Sequence, residues 1–178
     1  PGSPDPFTIF FYGRPNHARN GFELGAQALR ILKKKYGEHV RIISAGDRWD
    51  ENDYSLKGVV ENMGLLSYNE TAELYQKCHA GLVMMFTRHP SYLPFELMAS
   101  GSLVVTNYNP ATLWFLKDQE NCMLAEVSAT CIAQTLERAM LSVELRQQIV
   151  AQAVSQIVSS YGDWDNQIEK VYRYMCSS

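Results

Sequence analysis

Two arginines and one glutamate supply the residue types that bind phosphate and sugar. In GRPNHARNG, Arg14 and Arg19 stand five residues apart in a loop that opens a helix. Guanidinium groups and backbone N–H groups at such a place can converge on an anion, and a diphosphate would suit them. Solvated surface charge is the alternative for any arginine in a loop, and both readings stand on these residues alone. In RHPSYLPFELMASGSLVVTN, Glu96 stands between Phe95 and Leu97 inside a run that otherwise reads as buried helix and buried strand. A carboxylate buried there must find a partner or take up a proton. If the helix begins at about Tyr92, Tyr92 and Glu96 are an i,i+4 pair on one face of its first turns. The carboxylate can then accept from the vicinal hydroxyls of a ribose while helix N–H groups take phosphate oxygens. A first-turn glutamate favoured by the helix dipole is the alternative.

Neighbouring residues divide in the same way. Arg88 faces either the diphosphate or solvent, and Tyr92 either stacks on a nucleotide or packs. The turn from Gly64 to Leu66 either approaches a base through its backbone or is simply tight. Asn16, His17 and Asn20 share the loop of the two arginines. A dinucleotide fold of the NAD type would want G-x-G-x-x-G at this turn, and GRPNHARNG has its glycines eight residues apart. No metal is expected. The four cysteines, Cys78, Cys122, Cys131 and Cys176, show no C-x-x-C spacing. Cys78 and His79 are adjacent, so their side chains diverge on a helix, and the cysteines read as reduced, buried thiols of a cytoplasmic protein.

The elements that must position these residues alternate. Phe7 to Gly13 is a short apolar run ended by glycine, as in a strand buried on both faces. GFELGAQALRILKKKYG carries Phe22, Leu24, Ala28, Leu29, Ile31 and Leu32 at helical spacing, with Gly37 as C-cap and Lys33 to Lys35 in the last turn, where cations suit the dipole. VRIISAG predicts a second strand, the polar stretch Gly46 to Gly58 a long loop, and Val59 to Met63 a short third strand. SYNETAELYQKC predicts a helix with Ser67 as N-cap and Glu70 completing a capping box. AGLVMMF reads as a central strand, LPFELMASG as a short helix and LVVTN as another strand. A weak strand near Cys122 to Ala125 and helices at 129–140, 143–160 and 164–175 complete the chain. Trp164 and the last helix read as core and edge packing. Alternating strands and helices predict an α/β fold, a Rossmann-like, doubly wound and mostly parallel sheet. Ligands of such sheets sit at the carboxyl ends of the strands, where strand order reverses.

A chain of 178 residues with 46% apolar and 20% charged content is sized for one domain. A net charge of -3 gives no general attraction for nucleic acid or an anionic membrane. The sequence has neither a run of apolar residues long enough to span a bilayer nor the pattern of a signal peptide. Pro1-Gly2-Ser3 reads as an expression scar, so residues 1–6 are expected to be scar and linker and 7–178 the domain, cut from a longer protein.

LPFELMASGSLVVTN resembles the donor-binding signature of retaining glycosyltransferases of the GT-B fold, in the large family four. Those enzymes carry a Glu, seven residues, a second Glu, then Ala-Met-Ala, a variable residue, Gly and a Val-Val strand. Aligned on Gly101, Glu96 is the second Glu, and Arg14 and Arg19 fall on the family's Arg-x4-Lys pair with Arg in place of Lys. The likeness runs on through VENMGLLSYNETAELYQKCHAGLVMM and the closing helices, and covers the C-terminal, donor-binding half of such an enzyme. RPNHARNGFELG and HPSYLPFELMA look most like rhamnosyltransferases of bacterial surface polysaccharides. Arg88 followed by His89 stands where the family has its first Glu, a residue associated with the transferred sugar.

The resemblance implies a donor domain that binds a nucleoside diphosphate sugar, with dTDP or UDP favoured and no further cofactor. It implies Arg14 and Arg19 as catalytic groups on the diphosphate. Gly13, Asn20, Gly64, Leu66, Arg88, His89, Tyr92, Leu93 and Glu96 would be the donor-binding positions. A glycan acceptor would come through a missing N-terminal domain, in a protein that is cytoplasmic or peripheral to the inner membrane. The rivals are a GT-B epimerase, which needs an acid/base pair where only His89 is offered, and a binding module without chemistry, which the loss of the first Glu favours.

Overall fold

A computed structural model describes residues 5–177, with the side chain of Trp164 outside the described part. The proposed scar therefore falls outside it up to residue 4, as does the packing expected of Trp164. Strands β1 (Phe7–Tyr12), β2 (Val40–Ala45), β3 (Glu61–Asn62), β4 (Ala80–Val83), β5 (Leu103–Asn107) and β6 (Met123–Ala125) form one sheet. Its order is β3-β2-β1-β4-β5-β6, and every pairing is parallel. The order reverses between β1 and β4, so the carboxyl ends of those two strands flank the crevice where such sheets take ligands.

Helices α1 (Phe22–Tyr36), α2 (Tyr68–Lys77), α3 (Leu93–Ala99), α4 (Ala129–Leu141), α5 (Val143–Tyr161) and α6 (Trp164–Cys176) follow the expected segments. Buried side chains lie on both sheet faces. Ile9, Phe11, Leu29, Leu82 and Leu136 belong to one core, and Phe10, Tyr75, Leu97, Met98 and Phe115 to the other. Period-two alternation sends Phe10 and Phe11 to opposite faces, which is why β1 reads as apolar throughout. The predicted capping box forms, with Ser67 N–H donating to Glu70 Oε2 at 2.8 Å and the Glu70 N–H to Ser67 Oγ at 3.4 Å. The cap contributes about 1 kcal/mol. Gly37 ends α1 at a φ of 52°. The lysines before it are engaged locally, Lys33 donating to the Val40 carbonyl at 2.8 Å and Lys35 pairing with Glu137.

Several expectations need correction. AGLVMMF pairs only over Ala80–Val83, because Met84 to Phe86 leave the sheet to enter the crevice. The third strand is confined to Glu61–Asn62. The stretch from Gly46 to Gly58 is a loop, yet it carries core: Trp49 and Tyr54 meet the Phe22 ring at centroid distances of 5.1 and 4.9 Å, and Leu56 is fully buried. Helix α3 begins at Leu93 with Tyr92 as its cap residue. Cys78 and Cys122 are buried, but Cys131 is half-buried and Cys176 exposed. His79 does not pair with Cys78; its Nδ1 accepts from the Thr8 N–H at 3.0 Å.

Candidate functional site

Four loops leave the carboxyl ends of β1 to β4 and are tied to one another by the main chain. Gly46 N–H donates to the Gly64 carbonyl at 2.9 Å, Met63 N–H to Ser44 at 2.8 Å, and Phe86 N–H to the Arg19 carbonyl at 3.1 Å. Trp49 Nε1 donates to the Gly13 carbonyl at 3.0 Å. Close approach explains two of the glycines. A Cβ on Gly13 would stand 2.0 Å from Ser44 Oγ, and one on Gly21, whose φ is +54°, would stand 2.4 Å from the Phe86 ring. Both backbones must therefore come nearer their neighbours than any side chain allows.

Arg19, Asn20, His89 and Tyr92 come together. They line a cavity of about 350 Å³ over the reversal point, floored by Tyr12, Val83, Met84 and Met85. Arg19, His89 and Tyr92 are exposed, the last at 74%. Asn20 Nδ2 is buried and has no hydrogen-bond partner among the described residues.

Glu96 lies in a second cavity of about 460 Å³, between α2 and α3, together with Leu66, Tyr68, Tyr75 and Ser100. The expected burial of Glu96 does not hold: the residue is exposed, because the 93, 94, 97 and 98 positions take the core-facing stripe of α3. Its carboxyl is still crowded by the two helices, and that desolvation raises its pKa above the ordinary value. Tyr75 lines the same cavity as Glu96. Burial, then the charge of Glu96, then that of Tyr12 raise the pKa of its phenol, so its proton stays on.

Arg14, Gly13, Gly64, Arg88 and Leu93 line neither cavity. Arg14 is half-buried beside Tyr12, and Arg88 is exposed. Leu93 is 5% exposed and turns into the core, while its N–H donates to Ser91 Oγ at 3.3 Å. Gly64 makes its turn at a φ of +67° under the stem of Arg48.

Two asparagines that sequence reading passed over shape this site. Asn107 and Asn109 hold the segment after β4: Asn107 pairs with both main-chain groups of Met85, and Asn109 Nδ2 donates to Met85 and Thr87 carbonyls at 3.1 and 2.9 Å. Their signal was a polar residue closing a buried Val-Val strand, where an unpaired amide would be costly. Among the described residues no three His, Cys, Asp or Glu side chains gather as a metal site, and no helix is long and apolar enough to cross a membrane.

A parallel sheet in this order, with loops gathered over its reversal point, is the fold of the C-terminal domains of GT-B glycosyltransferases. The C-terminal domain of a group 1 glycosyl transferase, LpcC from Francisella tularensis, superposes with a TM-score of 0.72 at 19% identity, over 87% of this chain and 86% of that one. Anabaena HepE in complex with UDP gives a TM-score of 0.81 at 16% identity, over 98% of this chain and 50% of that one. Sucrose-phosphate synthase from Thermosynechococcus elongatus gives 0.78 at 16%, over 98% and 46%. The chain belongs to the family described as WsaF, C-terminal domain, whose model matches residues 7–137. It is 43% identical over 168 residues to the O-antigen biosynthesis protein RfbC of Myxococcus xanthus, covering 94% of this chain and 13% of that protein's length.

Proposed function

We propose that this chain is the donor domain of a glycosyltransferase that moves a sugar from a nucleoside diphosphate to a growing cell-surface glycan. The observation that carries the reading is a pair of cavities, one over the carboxyl ends of β1 and β4 and one between α2 and α3. One is lined by the Arg19 guanidinium and the His89 ring, and the other by Glu96. A nucleoside diphosphate sugar has that distribution of chemistry, with an anionic centre beside a ribose. HepE, solved with UDP, and the O-antigen biosynthesis protein of Myxococcus support the ligand class and the glycan product.

In this reading the nucleoside lies in the cavity between α2 and α3. Glu96 accepts from the ribose hydroxyls, and the Gly64 to Leu66 turn meets the base. The diphosphate lies toward Arg19 and Arg14, whose positive charge stabilises the negative charge that builds on the leaving group. His89, Arg88 and Tyr92 border the transferred sugar. A floor of Val83, Met84 and Met85 suits a sugar short of a hydroxyl, so a 6-deoxyhexose such as rhamnose on dTDP or UDP is the preferred donor. The acceptor reaches the site through another part of the protein. Ile168, Val171, Tyr172 and Met175 form an exposed stripe on α6, and such a stripe suits a covering domain. Alone, the domain binds nucleotide weakly and transfers nothing. A binding module without chemistry is the second reading, favoured by Arg88 where family four has a glutamate.

Thermal shift of this chain against UDP, dTDP, GDP and their sugars tests the proposal. A ligand at a hundred times its Kd stabilises the native state by about 2.7 kcal/mol, enough to raise Tm visibly. A preference for dTDP or UDP supports the reading, and no shift with any of them at millimolar concentration overturns it. Transfer by the parent protein separates enzyme from binding module.

A further inference from the structure

Arg14 is held in place by two nearby side chains, one at the end of β1 and one in its own loop. Its Nη1 donates to the Tyr12 hydroxyl at 3.2 Å, and its Nη2 meets His17 Nε2 at 2.7 Å. The guanidinium carbon stands 5.8 Å from the centre of the Tyr12 ring. Beneath them lies Gly46, at a φ of +122°, where a Cβ would stand 2.7 Å from the Tyr12 ring and 3.4 Å from Arg14 Cγ. The guanidinium is thus clamped between a phenol and an imidazole over a bare stretch of main chain. Arg19, by contrast, is exposed.

We propose that Tyr12 and His17 are positioning residues that preorganise Arg14 for an anionic ligand at the carboxyl edge of the sheet. The inference rests on the reading of Arg14 as a diphosphate ligand. A free arginine side chain loses much rotamer freedom when it docks on an anion, and one already fixed loses little, so the clamp raises affinity without touching the ligand. An arginine only donates, so this contact is a hydrogen bond in the His17 tautomer that carries its lone pair on Nε2. Arg14 Nε is buried and has no acceptor among the described residues. An unmet buried donor opposes this pose, so the Tyr12 and His17 contacts must hold it.

Calorimetry of this chain with UDP and dTDP, alongside uridine and thymidine, tests the clamp. Tyr12→Phe and His17→Ala are expected to weaken diphosphate binding about three- to tenfold, the net worth of one ordinary hydrogen bond, and to leave nucleoside binding unchanged. His17→Gln, which keeps a neutral acceptor, is expected to restore most of the loss. Tyr12→Phe added to Arg14→Ala should cost nothing more than Arg14→Ala alone. If Arg14→Ala weakens UDP binding while Tyr12→Phe and His17→Ala do not, the clamp is overturned and the diphosphate role of Arg14 stands. If Arg14→Ala binds as tightly as the unaltered chain, that role falls and the clamp with it. His17→Gln as weak as His17→Ala overturns the acceptor role. Should a variant not fold, nitrogen-edited NMR of the unaltered chain decides: a slowly exchanging Arg14 Nε–H supports the clamp, and exchange as fast as in free arginine overturns it.

Discussion

Asn107 extends the pairing of β4 with β5 past the point where the strands part. Its Oδ1 accepts from the Met85 N–H at 2.7 Å and its Nδ2 donates to the Met85 carbonyl at 2.9 Å. A side-chain amide thereby stands in for a peptide group, and Met84 to Phe86 can bend into the crevice without leaving buried main chain unpaired. The Met85 carbonyl has a second donor in Asn109, so the N–H depends on Asn107 alone among the bonds described. Asn107→Leu is expected to orphan that N–H and lower stability by about 1–3 kcal/mol in urea denaturation. Affinity for UDP should fall with it, because the wall of the cavity lined by Arg19 moves.

Gly21→Ala should be more damaging than a surface glycine replacement. The residue sits at a φ of +54°, and its Cβ would enter the Phe86 ring at 2.4 Å. Left-handed strain and overpacking together predict a loss of about 2–4 kcal/mol by denaturant titration. Gly101→Ala, with a φ of +79° and nothing near its Cβ, should show the conformational part only, about 1–2 kcal/mol.

On the proposed ribose role, Glu96 sets function against stability. Desolvation raises its folded pKa above 4.5, so between that value and the raised one the folded chain holds a proton that the unfolded chain has released. Stability therefore falls as pH rises through that window and stays lower above it. Glu96→Gln is expected to remove this slope in Tm measured against pH and to stabilise the ligand-free chain at neutral pH. The same change should weaken UDP binding about tenfold, as a charged acceptor is lost from the ribose.

His79 has the opposite sign. Burial, then the neighbouring Arg146 charge, lower its pKa below 6.5, with Asp5 opposing them, and its Nδ1 is occupied by the Thr8 N–H. The unfolded chain takes up a proton that the folded chain refuses. Stability is then full above about pH 6.5 and is lost as pH falls through the lowered folded value. His79→Gln should flatten the Tm profile on the acid side.

Removal of the residues after Trp164 should leave the Tm of the sheet domain nearly unchanged. In α6, Ile168, Val171, Tyr172 and Met175 are each more than half exposed, so little apolar burial is lost with them. A large drop in Tm on truncation would show that α6 packs on its own domain and would remove the stripe as a docking surface.

Local signals carried the fold a long way. The continuous apolar runs of β1 and β5, the Ser67 and Glu70 capping box and the Gly37 stop depend on interactions within a few residues, and those are written in the order of the chain. The family likeness added the expectation that Arg14, Arg19 and Glu96 meet, whereas Arg19 and Glu96 line separate cavities and Arg14 lines neither. Other features depend on contacts between distant segments, which periodicity does not report. Trp49 reaches 36 positions back to the Gly13 carbonyl, and Asn107 reaches 22 positions back to Met85. The burial of Glu96 was misjudged for the same reason. A seven-residue helix shows its core only the stripe that its packing angle selects, and that angle belongs to the assembled layers. Residue types and spacing thus determined which strands and helices exist and what chemistry they carry. The division of that chemistry between two cavities, and the place of Gly46 under the Tyr12 ring and the Arg14 stem, were decided only when the β1, β2 and β4 loops met, because a side chain's partners are set by distance in space.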